Sequence, residues 1–301
     1  MTVSAELQTR VSTTPKPGVV LELLKPVTWF PPMWAFTCGA ISSGVPLGQH
    51  KAEFALGIAL TGPLVCAASQ AVNDWFDRDV DALNEPNRPI PSGRVPGYWG
   101  LGIALFWTTL SLLVGSLFGV RGIMAAVAAN VLSWAYSAPP IRLKRNGWIG
   151  NAAVGVSYEG LAWVSAAALL LAPAWPSGKI IAFALLYSAG THGIMTLNDF
   201  KSIAGDRRSG VRSLPVMLGA ERAGLVACAV MLAPQLVIVA LLAAWSHPNY
   251  AIAIGLITLA QLPLMRRLLQ APKERAAWYN GTGVTLFVSG MMVAAFALRA
   301  G

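Results

Sequence analysis

The chain has 301 residues, 55% of them apolar and only 12% charged, with a mean hydropathy of +0.58. Ordinary soluble domains are about a quarter charged, so this composition argues against a water-soluble globule and for a protein surrounded mostly by lipid. The formal net charge of +9 then asks which membrane face holds the excess, and no nucleic-acid partner is expected.

Residues 1–25 are polar, without the apolar core or small-residue cleavage site of a signal peptide, and are read as a cytoplasmic tail. Residues 26–301 follow as a single domain. They contain nine apolar runs, each near the roughly 20 residues needed to cross a bilayer. The runs cover roughly 27–46, 54–74, 97–117, 120–138, 149–172, 179–198, 219–243, 249–265 and 278–298. With nine spans, the N-terminus and the loops after spans 2, 4, 6 and 8 share one side. That side holds 18 of the 22 Lys and Arg residues, leaving Lys51, Arg121, Lys179 and Arg299 for the other. Cytoplasmic loops are the ones enriched in basic residues, so the N-terminus is placed in the cytoplasm. Cys38, Cys66 and Cys228 all lie in apolar runs with no CxxC spacing, which supports neither a disulfide framework nor a zinc site.

Acids are scarce, 13 in all, yet four of them fall within Asn73–Asp81: Asp74, Asp77, Asp79 and Asp81. The outline returns 125 positions later in 198–206, where Asn198-Asp199 matches Asn73-Asp74 and Asp206 matches Asp81. The same offset lays Arg142 on Arg267, which suggests two four-helix halves plus one extra helix. Positions 73, 77 and 81 advance by four and share a helical face. Asp74 and Asp81, like Asp199 and Asp206, are seven apart and nearly eclipse. Crowded carboxylates repel unless a cation lies between them. Magnesium suits such a place, because it bridges one or two carboxylates to substrate phosphates. The candidate metal ligands are Asn73, Asp74, Asp77, Asp81, Asp199 and Asp206; the competing reading is a solvated acidic helix end.

Basic residues lie close by. Arg88 and Arg94 follow the first acidic segment and Arg207 the second, with Lys144 in the loop after span 4. Arginine offers a planar fork for phosphate and lysine a point charge, while topology alone would also place bases here. Glu159 falls mid-span, where an ionisable group is costly and functional by default; a structural helix contact is the other reading. His192 is either a ligand for a metallated macrocycle or a packing histidine.

These motifs resemble the UbiA superfamily of intramembrane prenyltransferases. Asn73, Asp77 and Asp81 meet its Asn-x3-Asp-x3-Asp pattern after the second helix, and Asp199 and Asp206 its second aspartate-rich motif. Within the superfamily the chain is most similar to chlorophyll and bacteriochlorophyll synthases. The residues that carry this are NDWFDRDVDALNEPNRPIPSGR (73–94), YSAPPIRLKRNGWIGN (136–151) and NDFKSIAGDRRSGVRSLPVMLG (198–219). Ser202 and Ala204 stand where members often have acids, which leaves metal ligation in the second segment (loop 198–215) to Asp199 and Asp206.

The resemblance implies an all-α fold of nine transmembrane helices around a central chamber open to lipid. It implies a Mg2+-dependent enzyme that esterifies the propionate of bacteriochlorophyllide with a geranylgeranyl or phytyl group from its diphosphate. Asp77, Asp81, Asp199 and Asp206 become the catalytic acids, and Asn73, Arg88, Arg94, Lys144 and Arg207 the diphosphate contacts. Tyr136, Glu159 and His192 are candidates for the acceptor chamber. A bacterial inner or intracytoplasmic photosynthetic membrane is the implied location, with pigment-biosynthesis or photosystem-assembly proteins as partners. Chlorophyllide, a quinone precursor or haem as acceptor would need the same acidic site. A divalent-cation transporter is the non-enzyme alternative, although it should carry mid-membrane acids on several helices.

Overall fold

The computed structural model describes residues 14–300, so residues 1–13 of the expected tail, with Arg10, lie outside the described residues. Nine long helical segments build the fold among them. They are α1 (Phe30–Ser42), α2 (Lys51–Asn84), α3 (Trp99–Ser116), α4 (Gly119–Ser137), α5 (Gly147–Leu170), α6 (Gly178–Asp199), α7 (Ala220–Ala244), α8 (Pro248–Gln270) and α9 (Pro272–Arg299). Seven of the nine are long and apolar enough to cross a membrane; α1, at 13 residues, and α4 are the exceptions. The chain is a multi-pass membrane protein of the all-α class.

Local chemistry sets the helix ends. The α5 start is capped by Asn146, whose Oδ1 accepts from the backbone N–H of Trp148 (3.0 Å) and Ile149 (3.2 Å). Proline occupies the first turn of α1, α8 and α9, where its missing N–H costs nothing. Helices α2 and α5 each contain a π-helical stretch, Leu60–Cys66 and Val156–Leu161. Pro63 inside the first removes a backbone donor, which favours the wider turn.

Helix α6 sits centrally, packed on α5, α7 and α9, and the longer helical run through it, Gly178–Ser209, is 61% buried over its span window. Close approach depends on small residues: a Cβ on Gly193 would stand 2.5 Å from the Ala227 carbonyl oxygen of α7. Around it, Trp163 stacks on Tyr187 at 5.7 Å, and Phe287 meets Tyr187 edge-on at 5.3 Å. Between α7 and α8, Gln235 and Gln261 exchange amide hydrogen bonds of 2.8 and 3.2 Å, satisfying two polar groups that lipid could not.

The 125-residue repeat extends to the element boundaries. Shifted by 125, Lys51–Asn84 falls on 176–209, where the helical run Gly178–Ser209 stands. Trp99–Ser116 falls on 224–241, inside α7, and Gly147–Leu170 on 272–295, inside α9. A short helix, Pro17–Leu24, precedes α1 and buries Leu23 and Leu24. The expected polar tail therefore carries a packed element. The even-numbered loops meet at one end of the bundle, where the loops after α4 and α6 pair through Gly147 N–H to Arg212 O and Arg212 N–H to Arg145 O, both 2.9 Å.

Candidate active site

The acidic stripe belongs to the last three turns of α2, which run on past the apolar span without a break. Their period of four keeps Asn73, Asp77 and Asp81 on one side, and each finds a partner from a different element. Asn73 Nδ2 donates to Ser137 Oγ at the end of α4 (3.3 Å). Asp77 accepts from Arg142 Nη2 (3.1 Å) on one oxygen and from Lys144 Nζ (2.5 Å) on the other. Asp81 accepts from Arg88 Nη1 (2.8 Å), which also reaches Asp74 seven positions earlier (3.5 Å). The seven-residue spacing thus serves a shared guanidinium.

Asp74 is almost wholly buried. One oxygen accepts from Lys25 Nζ at 2.6 Å, and the other, Oδ2, has no protein partner. Lys25 itself lies in left-handed backbone, φ 48°, a conformation disfavoured for a side-chain-bearing residue. Asp79 is 89% exposed and stands apart from the cluster. Arg142 is also left-handed, φ 45°, directly before the turn Leu143–Arg145 that supplies Lys144. Such strain is held where surrounding contacts over-determine it, and here the Asp77 bonds do so.

The second acidic segment runs from the end of α6 through a tight turn, Phe200–Ser202, into a short helix, Ile203–Ser209. Asp199 Oδ2 accepts from Asn151 Nδ2 of α5 (3.2 Å), and Asn198 Oδ1 from Asn280 Nδ2 of α9 (2.8 Å). The short helix meets the end of α2, where Arg208 Nη2 donates to Asn84 Oδ1 (3.0 Å). Asp206 and Asp77 act on each other electrostatically, and Tyr136 lies in the field of Asp77, Asp199 and Asp206. The two halves of the repeat therefore face one another across one polar basin.

Charge in the loops around that basin is tuned by burial and contact. Burial holds the Lys144 ammonium below its ordinary value, against the pull of Asp77. Burial also opposes the Arg88 charge, but Glu85, Asp74 and Asp81 outweigh it and hold the guanidinium above its ordinary value. Arg94 points elsewhere: it makes an exposed pair with Glu22 (2.5 and 2.8 Å) and donates to Asn87 O. Arg207 is exposed on the short helix. Glu159 lies in the α5 π stretch, buried toward Thr191 of α6. His192 stacks near Trp148 at 5.4 Å, with Nε2 3.2 Å from the Trp148 carbonyl oxygen. Neither Glu159 nor His192 joins the basin's acids.

The donors suit magnesium chemically, since they are hard carboxylate oxygens. Among the described residues no three acids, histidines or cysteines form a ready cage. An ion held by one or two carboxylates and completed by substrate phosphates needs none. The ion pairs of the described residues in this basin reach Asp74, Asp77 and Asp81, while Asp199 and Asp206 have none. Lys201 acts on Asp199 only through space. Those two carboxylates are the ones still short of a counter-charge.

Beneath the basin, α1, α2, α4 and α5 border a partly open apolar pocket whose far end is lined by Phe36 and Leu169. Three participants were not singled out in the sequence as site residues: Lys25, Arg142 and Asn151. Each sits 48 to 65 positions from its acid. Only the basic loop after span 4 gave a signal for one of them.

Comparison with known proteins agrees with this architecture. The UbiA prenyltransferase family model matches residues 24–295. The chain is 54% identical to the bacteriochlorophyll synthase 33 kDa chain of Cereibacter sphaeroides over 99% of this chain and 98% of that one. It is 37% identical to the chloroplastic chlorophyll synthase of Arabidopsis thaliana over 94% of this chain and 75% of that one. A UbiA homolog from Archaeoglobus fulgidus, solved bound to GPP and Mg2+, shares the fold with a TM-score of 0.67 at 19% identity, covering 94% of this chain and 100% of that one. With its paired acidic segments joined at one end of the nine long helical segments among the described residues, and with relatives and the family model matching nearly all of the chain, the chain belongs to the UbiA prenyltransferase family.

Proposed function

We propose that the chain is a bacteriochlorophyll synthase, transferring a geranylgeranyl or phytyl group from its diphosphate to the propionate of bacteriochlorophyllide. The observation that carries the choice of acceptor is the 54% identity, over nearly all of both chains, to a bacteriochlorophyll synthase; the chlorophyll synthase relative stands at 37%. The geometry supports the chemistry. A basin of acids and bases lies directly above an uncharged cavity, as a substrate with a charged head and an apolar tail requires.

Asp77, Asp81, Asp199 and Asp206 would hold magnesium, with Asn73 and Asp74 beside them. A bound Mg2+ supplies Lewis-acid neutralisation of the diphosphate. Arg88, Lys144 and Arg142 are already gathered on the carboxylates, so they present fixed positive charge to the same phosphates without reorganisation. Arg207, exposed on the short helix, would be a further contact, while Arg94 is engaged by Glu22. The bond from prenyl C1 to the diphosphate oxygen breaks, the diphosphate leaves with the electron pair, and the allylic cation is shielded by the apolar cavity. A propionate oxygen then bonds to C1. The nucleophile is a carboxylate already ionised at neutral pH, so no base need be found. Tyr136, on the rim between both acidic segments, would contact the reacting groups; Glu159 and His192 would bound the acceptor side.

The test is a membrane assay pairing bacteriochlorophyllide or chlorophyllide with each prenyl diphosphate, with and without magnesium. Ester should form with bacteriochlorophyllide and disappear on chelation. Turnover of chlorophyllide alone would overturn the acceptor assignment, and undiminished turnover in chelator would overturn the metal.

A further inference from the structure

Ser69, Asn73, Asp77 and Asp81 form one stripe on α2 at steps of four, and Ser133 stands one turn before Ser137 on α4. The cavity that Ser69 and Ser133 line therefore begins one helical turn beneath the Asn73–Ser137 contact. It runs down α5 from Ser157 to Leu169, twelve residues or about 18 Å of helix.

No lining residue is charged. Hydroxyls on its walls are turned away: Thr61 donates to Gly57 O and Ile58 O, Ser69 to Cys66 O, and Ser165 to Leu161 O. Tyr158 Oη is engaged by Gln70 Nε2 (3.1 Å) and Cys66 Sγ (3.3 Å). Ser133 and Ser157 also line the space, and the rest of the surface is hydrocarbon, the Phe36 ring included. The π stretches of α2 and α5 both border it, and their wider turns make the room that regular helices would fill. On α4 the wall is thin, because Ala125, Ala126 and Ala129 stand where larger apolar residues would close the slot. Ala126 has no slack behind it: a Cβ on Gly115 of α3 would lie 2.7 Å from its methyl.

We propose that these three alanines are specificity-determining residues that set how long an isoprenoid tail the enzyme accepts, with Phe36 and Leu169 as the stop. The proposal rests on the prenyl-transfer reading above. A long, uncharged slot that begins one turn below the acid stripe matches a flexible chain; a rigid macrocycle with a central metal would want a histidine or carboxylate on the wall. Filling the slot at Ala129, about halfway down, should exclude the far isoprene units while leaving room for the near ones.

The experiment compares kcat/KM for geranyl (C10), farnesyl (C15) and geranylgeranyl (C20) diphosphates across wild type, Ala129→Val, Ala129→Leu and Ala129→Phe. The C20-to-C10 ratio should fall stepwise with side-chain size, by about tenfold or more at Phe. Ala125→Phe, deeper in the slot, should spare C15 relative to C20. A ratio that stays flat in any active variant of the Ala129 series, or equal loss of all donors throughout it, overturns the proposal. Failure of wild type with every donor would instead sink the prenyl-transfer reading itself.

Discussion

Asp77 engages a separate cation on each oxygen: one holds Arg142 and the other Lys144. Asp77→Ala should lower transfer by about a hundredfold or more, the scale of losing a fixed charge at a reacting centre. It also strands a nearly buried lysine, so Asp77→Asn, which keeps shape and hydrogen bonding, should lose activity with less loss of stability. Asp206→Ala should behave alike while the protein still inserts, and Asp79→Ala, at an 89% exposed position, should leave turnover as in wild type. Steady-state rates beside thermal melts in detergent measure both effects; full turnover by the double variant of Asp77 and Asp206 would remove the metal assignment. The stripe of acids was readable because helical period is local information. Lys25, Arg142 and Asn151 were not, because their partners are fixed by how distant helices pack. Arg94 shows the converse limit: its neighbours in sequence suggested phosphate, yet its guanidinium went to Glu22, whose helix lies 72 residues away.

The segment Pro17–Leu24 shows what hydropathy misses at the level of elements. Too short and too polar at its flanks to read as a span, it is latched by two ion pairs, Lys25 to Asp74 and Arg94 to Glu22. The first is the stronger, since Asp74 is buried and breaking such a pair leaves an uncompensated charge. Amide hydrogen exchange in this helix should rise markedly in Lys25→Met and slightly in Glu22→Gln. The Arg94 hydrogen bond holds the Glu22 carboxyl below its ordinary value. That contribution is present above the unfolded value of glutamate and is lost as pH falls through the lowered folded value. Acidification of wild type through the lowered Glu22 value should therefore reproduce the loss seen in Glu22→Gln, once intrinsic rates are corrected. Solvent screening keeps the pair's contribution small. The same blindness applies to the cavity, because an apolar residue facing a slot and one facing lipid look alike in sequence. The apolar run of α2 ends near residue 74 while its helix continues to Asn84, as the period-four acids require, its last turns held by charge instead of apolarity.

At the scale of the whole molecule, the repeat and the charge asymmetry are one fact seen twice. Rotating a half-molecule onto its copy keeps the same end of the bundle on the same side, so the acidic segments and their bases must collect together. The contacts agree: Lys25, Arg88, Arg142, Lys144 and Arg208 all bond across that end. Arg121 instead donates to the Ala168, Pro173 and Ala174 carbonyls, and Lys179 lies over Trp245, both in the odd-numbered turns. Eighteen of 22 basic residues on one side predict a cytoplasmic basin. Single cysteines test this without background from the native ones, which are all buried. In intact spheroplasts, an impermeant maleimide should label Gln49→Cys, in the α1–α2 turn, and spare Asn87→Cys, beside the first acidic segment. Inverted vesicles should give the opposite pattern. If Asn87→Cys labels from outside, the diphosphate site faces away from the cytoplasm, and the charge argument fails with the orientation it implied.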